Sequence, residues 1–124
     1  METANANFRN NLNQYIDFLS KGEFVIHDQY GRGAYIPEVH DMMRDFYQSN
    51  IVDYNYMRTI SSLPQEWSPL IGTMTEAQVC AFITMIIRSE HFGEGTMLPF
   101  LKNGSMLALC RRLLELQNDT SASK

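Results

Sequence analysis

A chain of 124 residues with 44% hydrophobic and 19% charged content has the size and balance of one self-folding globular domain, far from the composition of a disordered chain. The net charge is −4 and only Arg111 and Arg112 are adjacent cations, so no basic stripe exists for phosphate contacts and direct nucleic-acid binding is not expected. No run approaches the roughly 18 apolar residues of a membrane span. The start, METANANFRNN, lacks a signal-peptide pattern, and Cys80 and Cys110 have neither CxxC nor histidine spacing; the expectation is a cytoplasmic protein off the membrane, with two buried thiols and no metal or cofactor.

Residues 1–7 are expected to form a flexible N-terminus, 8–117 a single helical domain and 118–124 a disordered tail. From Phe8 the apolar positions Leu12, Tyr15, Ile16 and Leu19 trace one helix face, closed by Gly22. Phe24 to Ile26 form a short β-branched run before Gly31 and Gly33, which predicts a small hairpin or extended arm near residues 24–36. Pro37 suits the first position of a second helix, which the apolar face Val39, Met42, Met43, Phe46 carries to Ser49-Asn50. IVDYNYMRTISSL reads as a short helix. Pro64, Pro69 and Gly72 then break the chain into turns, with Trp67 as an anchor onto the core.

Thr75 and Gln78 have capping-box spacing and open the central helix. A short apolar helix, MLPFL, a turn at Asn103-Gly104 and a last helix from Ser105 follow. The architecture expected is mainly α: one compact domain of five or six helices with a small hairpin.

The candidate site is the end of the central helix. Winding it places Thr84, Arg88 and His91 on one strip, while Glu90 continues the apolar line Val79, Ile83, Ile86. A carboxylate there faces the interior and sits at the negative end of the helix dipole, so it needs either a partner or a raised pKa. Two readings follow. In the structural one, Glu90 accepts hydrogen bonds from a tyrosine hydroxyl, the Trp67 indole or backbone donors of the next loop. In the chemical one, Glu90 and His91 are the candidate catalytic groups, and Arg88, Glu90, Phe92, Gly93, Glu94 and Gly95 form a ligand site whose glycine amides face an anion. A plain glycine stop at Gly93 is the simpler account of Gly-Glu-Gly.

Arg88-Ser-Glu90-His-Phe92-Gly-Glu-Gly95, followed by an apolar helix, the Gly104 turn and Arg111-Arg112-Leu-Leu-Glu-Leu, resembles the C-terminal signature of a bacterial family, the domain of unknown function DUF6508. Tyr35-x-Pro37-Glu38-Val39 and Asp53-Tyr54 are similar to its middle section. Where the family pattern reads Arg-Gly-Glu-Arg-Phe-Cys, this chain has Ser89, His91 and Gly93. The resemblance implies a bacterial or phage origin and a shared role for Arg88, Glu90, Phe92 and Gly95.

Without a catalytic, metal or nucleotide motif, the function expected is a non-enzymatic binding or regulatory module for a protein partner, with phage–host conflict as one setting. The alternative is a small-ligand protein or enzyme acting on an anionic metabolite or nucleotide at Arg88, Glu90 and Glu94.

Overall fold

The computed structural model describes residues 7–49 and 51–122, so most of the expected N-terminal arm lies outside the described residues. The first helical stretch is two helices, α1 (Asn7–Asn10) and α2 (Leu12–Lys21), broken at Asn11. Asn11 directs its side-chain amide to Asp45 Oδ2 at 3.1 Å, while its carbonyl accepts the amides of Gln14 and Tyr15 and starts the second helix. Helix α2 buries Leu12, Tyr15, Phe18 and Leu19. Gly22 stops it: at φ +77° its amide turns back to the Leu19 carbonyl, a conformation open to glycine at little cost.

The arm is a hairpin of β1 (Val25–His27) and β2 (Gly33–Tyr35), antiparallel, with Val25 opposite Tyr35 and Ile26 opposite Ala34. Asp28 builds the turn by accepting the amides of Tyr30 and Arg32 at 2.8 and 3.0 Å and the Arg32 Nε at 2.8 Å. The Arg32 amide, foremost among these donors, holds the Asp28 carboxyl below its ordinary range.

Pro37 opens α3 (Pro37–Tyr47), as its fixed φ and missing N–H predict. The helix ends at Tyr47, two residues before Ser49, and buries Val39, Met42, Phe46 and, unexpectedly, Asp45. Asp45 accepts from the Tyr15 hydroxyl as well as from Asn11, tying the first two helices to α3 through a polar contact inside the core. Helix α4 (Tyr56–Ile60) follows. A 3₁₀ helix, Ser68–Thr73, forms where only turns were expected, with Pro69 in its first turn. Trp67 stacks on Phe82 at 4.1 Å between ring centroids and so fastens this loop to the core.

Helix α5 (Glu76–Phe92) starts with the expected capping box: the Gln78 amide donates to Thr75 Oγ1 at 3.2 Å and the Thr75 amide to Gln78 Oε1 at 2.9 Å. It buries Val79 to Thr84 without interruption, then Ile86 and Ile87. At about 1.5–3 kcal/mol for each fully buried large side chain, this helix anchors the core. Its neighbours are α4 and α7 (Ser105–Ala122), and α7 in turn covers α2, the 3₁₀ helix and the short α6 (Leu98–Lys102).

Among the described residues there are thus seven α-helices and one 3₁₀ helix, more than the five or six expected, because Asn11 splits the first and the proline-rich loop winds up. The backbone of α7 also continues to Ala122, past the point at which a tail was expected to begin. Neither glycine nor proline stops it between Asn118 and Ala122.

Candidate functional site at the end of helix α5

The end of α5 carries Arg88 and Glu90 two residues apart, with His91 beside them. At 3.6 residues per turn that separation places Arg88 and Glu90 roughly 200° apart around the axis, on opposite sides. Each meets a different environment.

Glu90 faces the hairpin and the loop leading to α6. Its Oε1 accepts from the Tyr35 hydroxyl at 2.7 Å and the Met97 amide at 3.1 Å, and its Oε2 from the Gly95 amide at 2.7 Å. Three of the roughly four acceptor positions of a carboxylate are therefore filled. Both donor types are those the structural reading named, a tyrosine hydroxyl and backbone N–H groups of the following loop. The loop is shaped for this purpose: Gly95 takes φ +87°, and the Thr96 hydroxyl lies against the Ser89 and Gly93 carbonyls at 2.5 and 2.7 Å. Amides folded back onto the helix end offset the unfavourable dipole that a carboxylate meets there. Tyr35 feels the result: burial, then the hydrogen bond and charge of Glu90, push its phenol well above the ordinary tyrosine range.

The glycine amides of the Gly-Glu-Gly segment are both turned inward. The Gly93 amide donates to the Ser89 carbonyl at 3.0 Å and the Gly95 amide to Glu90, so both donors are occupied. Gly93 ends the helix in extended conformation, φ −158°, and the left-handed glycine is Gly95.

Arg88 lies on the opposite side and is half-buried. Its guanidinium carbon sits 5.9 Å from the Tyr56 ring centroid and 5.5 Å from that of Phe92, within cation–π range of both. Among the described residues Arg88 belongs to no ion pair, and its Nε is a buried donor with no hydrogen-bond acceptor. Of the two rings Phe92 is open to solvent at 71% exposure and Tyr56 is half-buried; Tyr47, close enough to feel the Arg88 charge, is 46% exposed. Tyr54 and Met57, which flank Tyr56 in the chain, are more than half exposed as well. This segment is pinned to α5 by the Asp53 amide, which donates to Thr84 Oγ1 at 3.1 Å, while the Thr84 hydroxyl bonds the Cys80 carbonyl. Thr84 is consequently buried, and His91 is exposed with its ring edge-on to Phe92 at 5.3 Å.

The six candidate residues therefore divide. Glu90, Glu94 and Gly95 border a cavity beneath the hairpin, Arg88 and Phe92 belong to the aromatic face across the helix, and Gly93 caps the helix between them. Tyr35, the partner that fixes Glu90, stands in the sequence as part of the Tyr35-x-Pro37 pattern and as one of several middle-third tyrosines, without a sign that it reaches the helix end. Neither cysteine takes part: Cys80 and Cys110 are buried, and burial pushes their thiols up to about 11 and about 12. Among the described residues no three His, Cys, Asp or Glu side chains gather as metal ligands would, and no helix is long and apolar enough to cross a membrane.

The fold and the helix end define a small, mainly α domain in which one carboxylate clasps a hairpin and a loop to the central helix. The chain belongs to DUF6508, a family of unknown function whose model matches residues 10–119. No curated protein and no solved structure matches it.

Proposed function

We propose that the protein is a non-enzymatic binding module, and that its recognition surface is the Arg88 face of α5, which receives a carboxylate-bearing segment of a protein partner. The observation that carries this reading is the state of Arg88: a guanidinium beside the Tyr56 and Phe92 rings, in no ion pair with the described residues and with a buried Nε that finds no acceptor among them. An unmet buried donor costs about 1–3 kcal/mol, so the fold holds this guanidinium at some expense to itself. A carboxylate is the natural acceptor, since guanidinium–carboxylate bonds are charge-assisted and able to form in pairs. Arginine framed by tyrosine and phenylalanine is also the composition enriched where binding energy concentrates at protein interfaces.

Support for the non-enzymatic part comes from Glu90, the candidate general acid or base, whose oxygens hold three structural hydrogen bonds. An anionic metabolite bridging Arg88 and the two glutamates finds no support in the geometry, because these residues point to opposite sides of the helix.

Selection from a displayed library of random peptides tests the reading. The enriched peptides are expected to share an Asp, Glu or free C-terminal carboxylate beside apolar residues, and to bind the Arg88→Ala and Phe92→Ala variants at least tenfold more weakly than the wild type. Enrichment without acidic residues, or peptides that bind both variants undiminished, would contradict it.

A further inference from the structure

The hairpin and the loop after α5 enclose a cavity of about 390 Å³, near the lower end of the roughly 300–1,000 Å³ that small-molecule sites occupy. Strand pairing produces one wall. Val25 and Tyr35 lie opposite each other and share a face, and Gly33 two residues before Tyr35 adds no side chain to it. A Cβ at Gly33 would stand 3.0 Å from Val25 Cγ1, so that absence keeps the wall low. Met43 of α3 and Leu98 of α6 complete an apolar surround.

The charged lining is two carboxylates, with the His40 imidazole, edge-on to the Tyr35 ring at 6.3 Å between centroids, as the one basic group beside them among the described residues. Glu90 and Glu94 both border the cavity, no Lys or Arg does, and neither glutamate takes part in an ion pair among the described residues. Two of the lining donors are already committed, since the Tyr35 hydroxyl and the Gly95 amide both bond to Glu90. The acidic groups that remain for a cation are one acceptor position on Glu90 and the whole carboxylate of Glu94, which is exposed and makes no hydrogen bond to the described residues that would hold it. Both charges also act on the Tyr35 phenol in the direction that keeps its proton on.

We propose that this cavity is a binding site for small primary amines with an apolar body, the ammonium group meeting Glu94 and the free position on Glu90, and the body lying against Val25, Met43 and Leu98. An ammonium supplies three donors and a positive charge to a site that presents acceptors and negative charge. The alkyl or aryl part gains by leaving water for the apolar walls. The ligand has the opposite sign to the anion that the sequence pattern suggested for this helix end, because Arg88 turns away from the cavity. The site is independent of the Arg88 face.

The test is an NMR titration of the labelled full chain with n-hexylamine, cyclohexylmethylamine and 2-phenylethylamine, each beside the corresponding alcohol. At least one amine is expected to shift the amides of Val25, Tyr35, Gly95 and Leu98 and to bind at least tenfold more tightly than its alcohol. Glu94→Gln, a change at an exposed side chain, should weaken that amine at least threefold, and Val25→Trp should block it by filling the cavity. Arg88→Ala should leave amine binding unchanged. The proposal is overturned if no amine outcompetes its alcohol, if the shifts fall elsewhere, or if Glu94→Gln leaves the affinity intact.

Discussion

Glu90 and Arg88 end the same helix two positions apart, and the fold treats them in opposite ways. Glu90 lies at the end of the helix dipole that disfavours it, yet it is surrounded by donors: one phenol and two amides from a loop bent back to meet it. Arg88 lies where the dipole favours it, yet among the described residues its Nε has no acceptor and its charge meets two aromatic rings but no ion-pair partner. A charged residue in an unfavourable place that the fold supplies with three donors is a structural element, whatever its remaining acceptor position meets. One in a favourable place that is left short of partners is available to something outside the chain.

The contrast breaks most visibly if Glu90 is removed. Glu90→Ala strands the Tyr35 hydroxyl and the amides of Gly95 and Met97, and stability should fall by about 2–4 kcal/mol in urea unfolding, from the cost of leaving partly buried groups unsatisfied. Hydrogen exchange at Gly95 and Met97 should rise in step with that loss. A change under 0.5 kcal/mol, a round threshold on the order of a surface substitution, would mean that the clasp does not hold the loop.

Alkaline pH probes the same side. The folded-state pKa values of Tyr35 and Tyr15 lie above the ordinary 10.0, chiefly through burial and then through Glu90 and Asp45 respectively. Below pH 10 the contribution of these phenols is fully present. As pH rises beyond 10 the unfolded chain releases protons that the folded chain keeps, so stability falls, by about 1.4 kcal/mol per pH unit for a buried group such as Tyr15. The thiols of Cys80 and Cys110, raised by burial to about 11 and about 12, start the decline from about pH 9. Urea midpoints measured from pH 7 to 11 should show this slope, and Tyr15→Phe should flatten its upper part. A midpoint constant to pH 11 would contradict the buried-phenol account.

Gly95→Ala sharpens the contrast on a smaller scale. At φ +87° an L side chain is strained, and a loss of about 1–2 kcal/mol is expected by thermal unfolding, with the Glu90 clasp loosened and the Arg88 face unaltered. An undiminished melting temperature would show that the loop adopts this turn for some reason other than the clasp.

Much of this architecture is legible in the amino-acid sequence. The capping box at Thr75, the stop at Gly22, the hairpin before Pro37 and the wide burial of α5 follow from short-range rules, since each depends on residues within a few positions of one another. Glu90 is legible as an anomaly because it interrupts an apolar line. Its partners are legible only as types. Tyr35 lies 55 residues away, and nothing in a pattern of periods tells which tyrosine a fold brings to a helix end. Asp45 escapes notice for a similar reason: one acid in PEVHDMMRDFY looks like a solvated face until Tyr15 and Asn11 arrive from another helix. Helix winding separates Arg88 from Glu90 at once, but the shared charged cluster suggests one site. The structure has two faces, and the acidic cavity between hairpin and loop depends on tertiary placement that no local rule contains.

The most direct test of the contrast is the stability of Arg88→Met, which keeps the apolar stem of the side chain and removes its unmet donor. If Arg88 is held for a partner and not for the fold, the urea unfolding free energy should stay level or rise by up to about 1 kcal/mol, as expected when a buried group lacking its partner is replaced by an apolar one of similar shape. A loss on the scale of Glu90→Ala would mean that Arg88 too is part of the framework, and the division between the two faces would not stand.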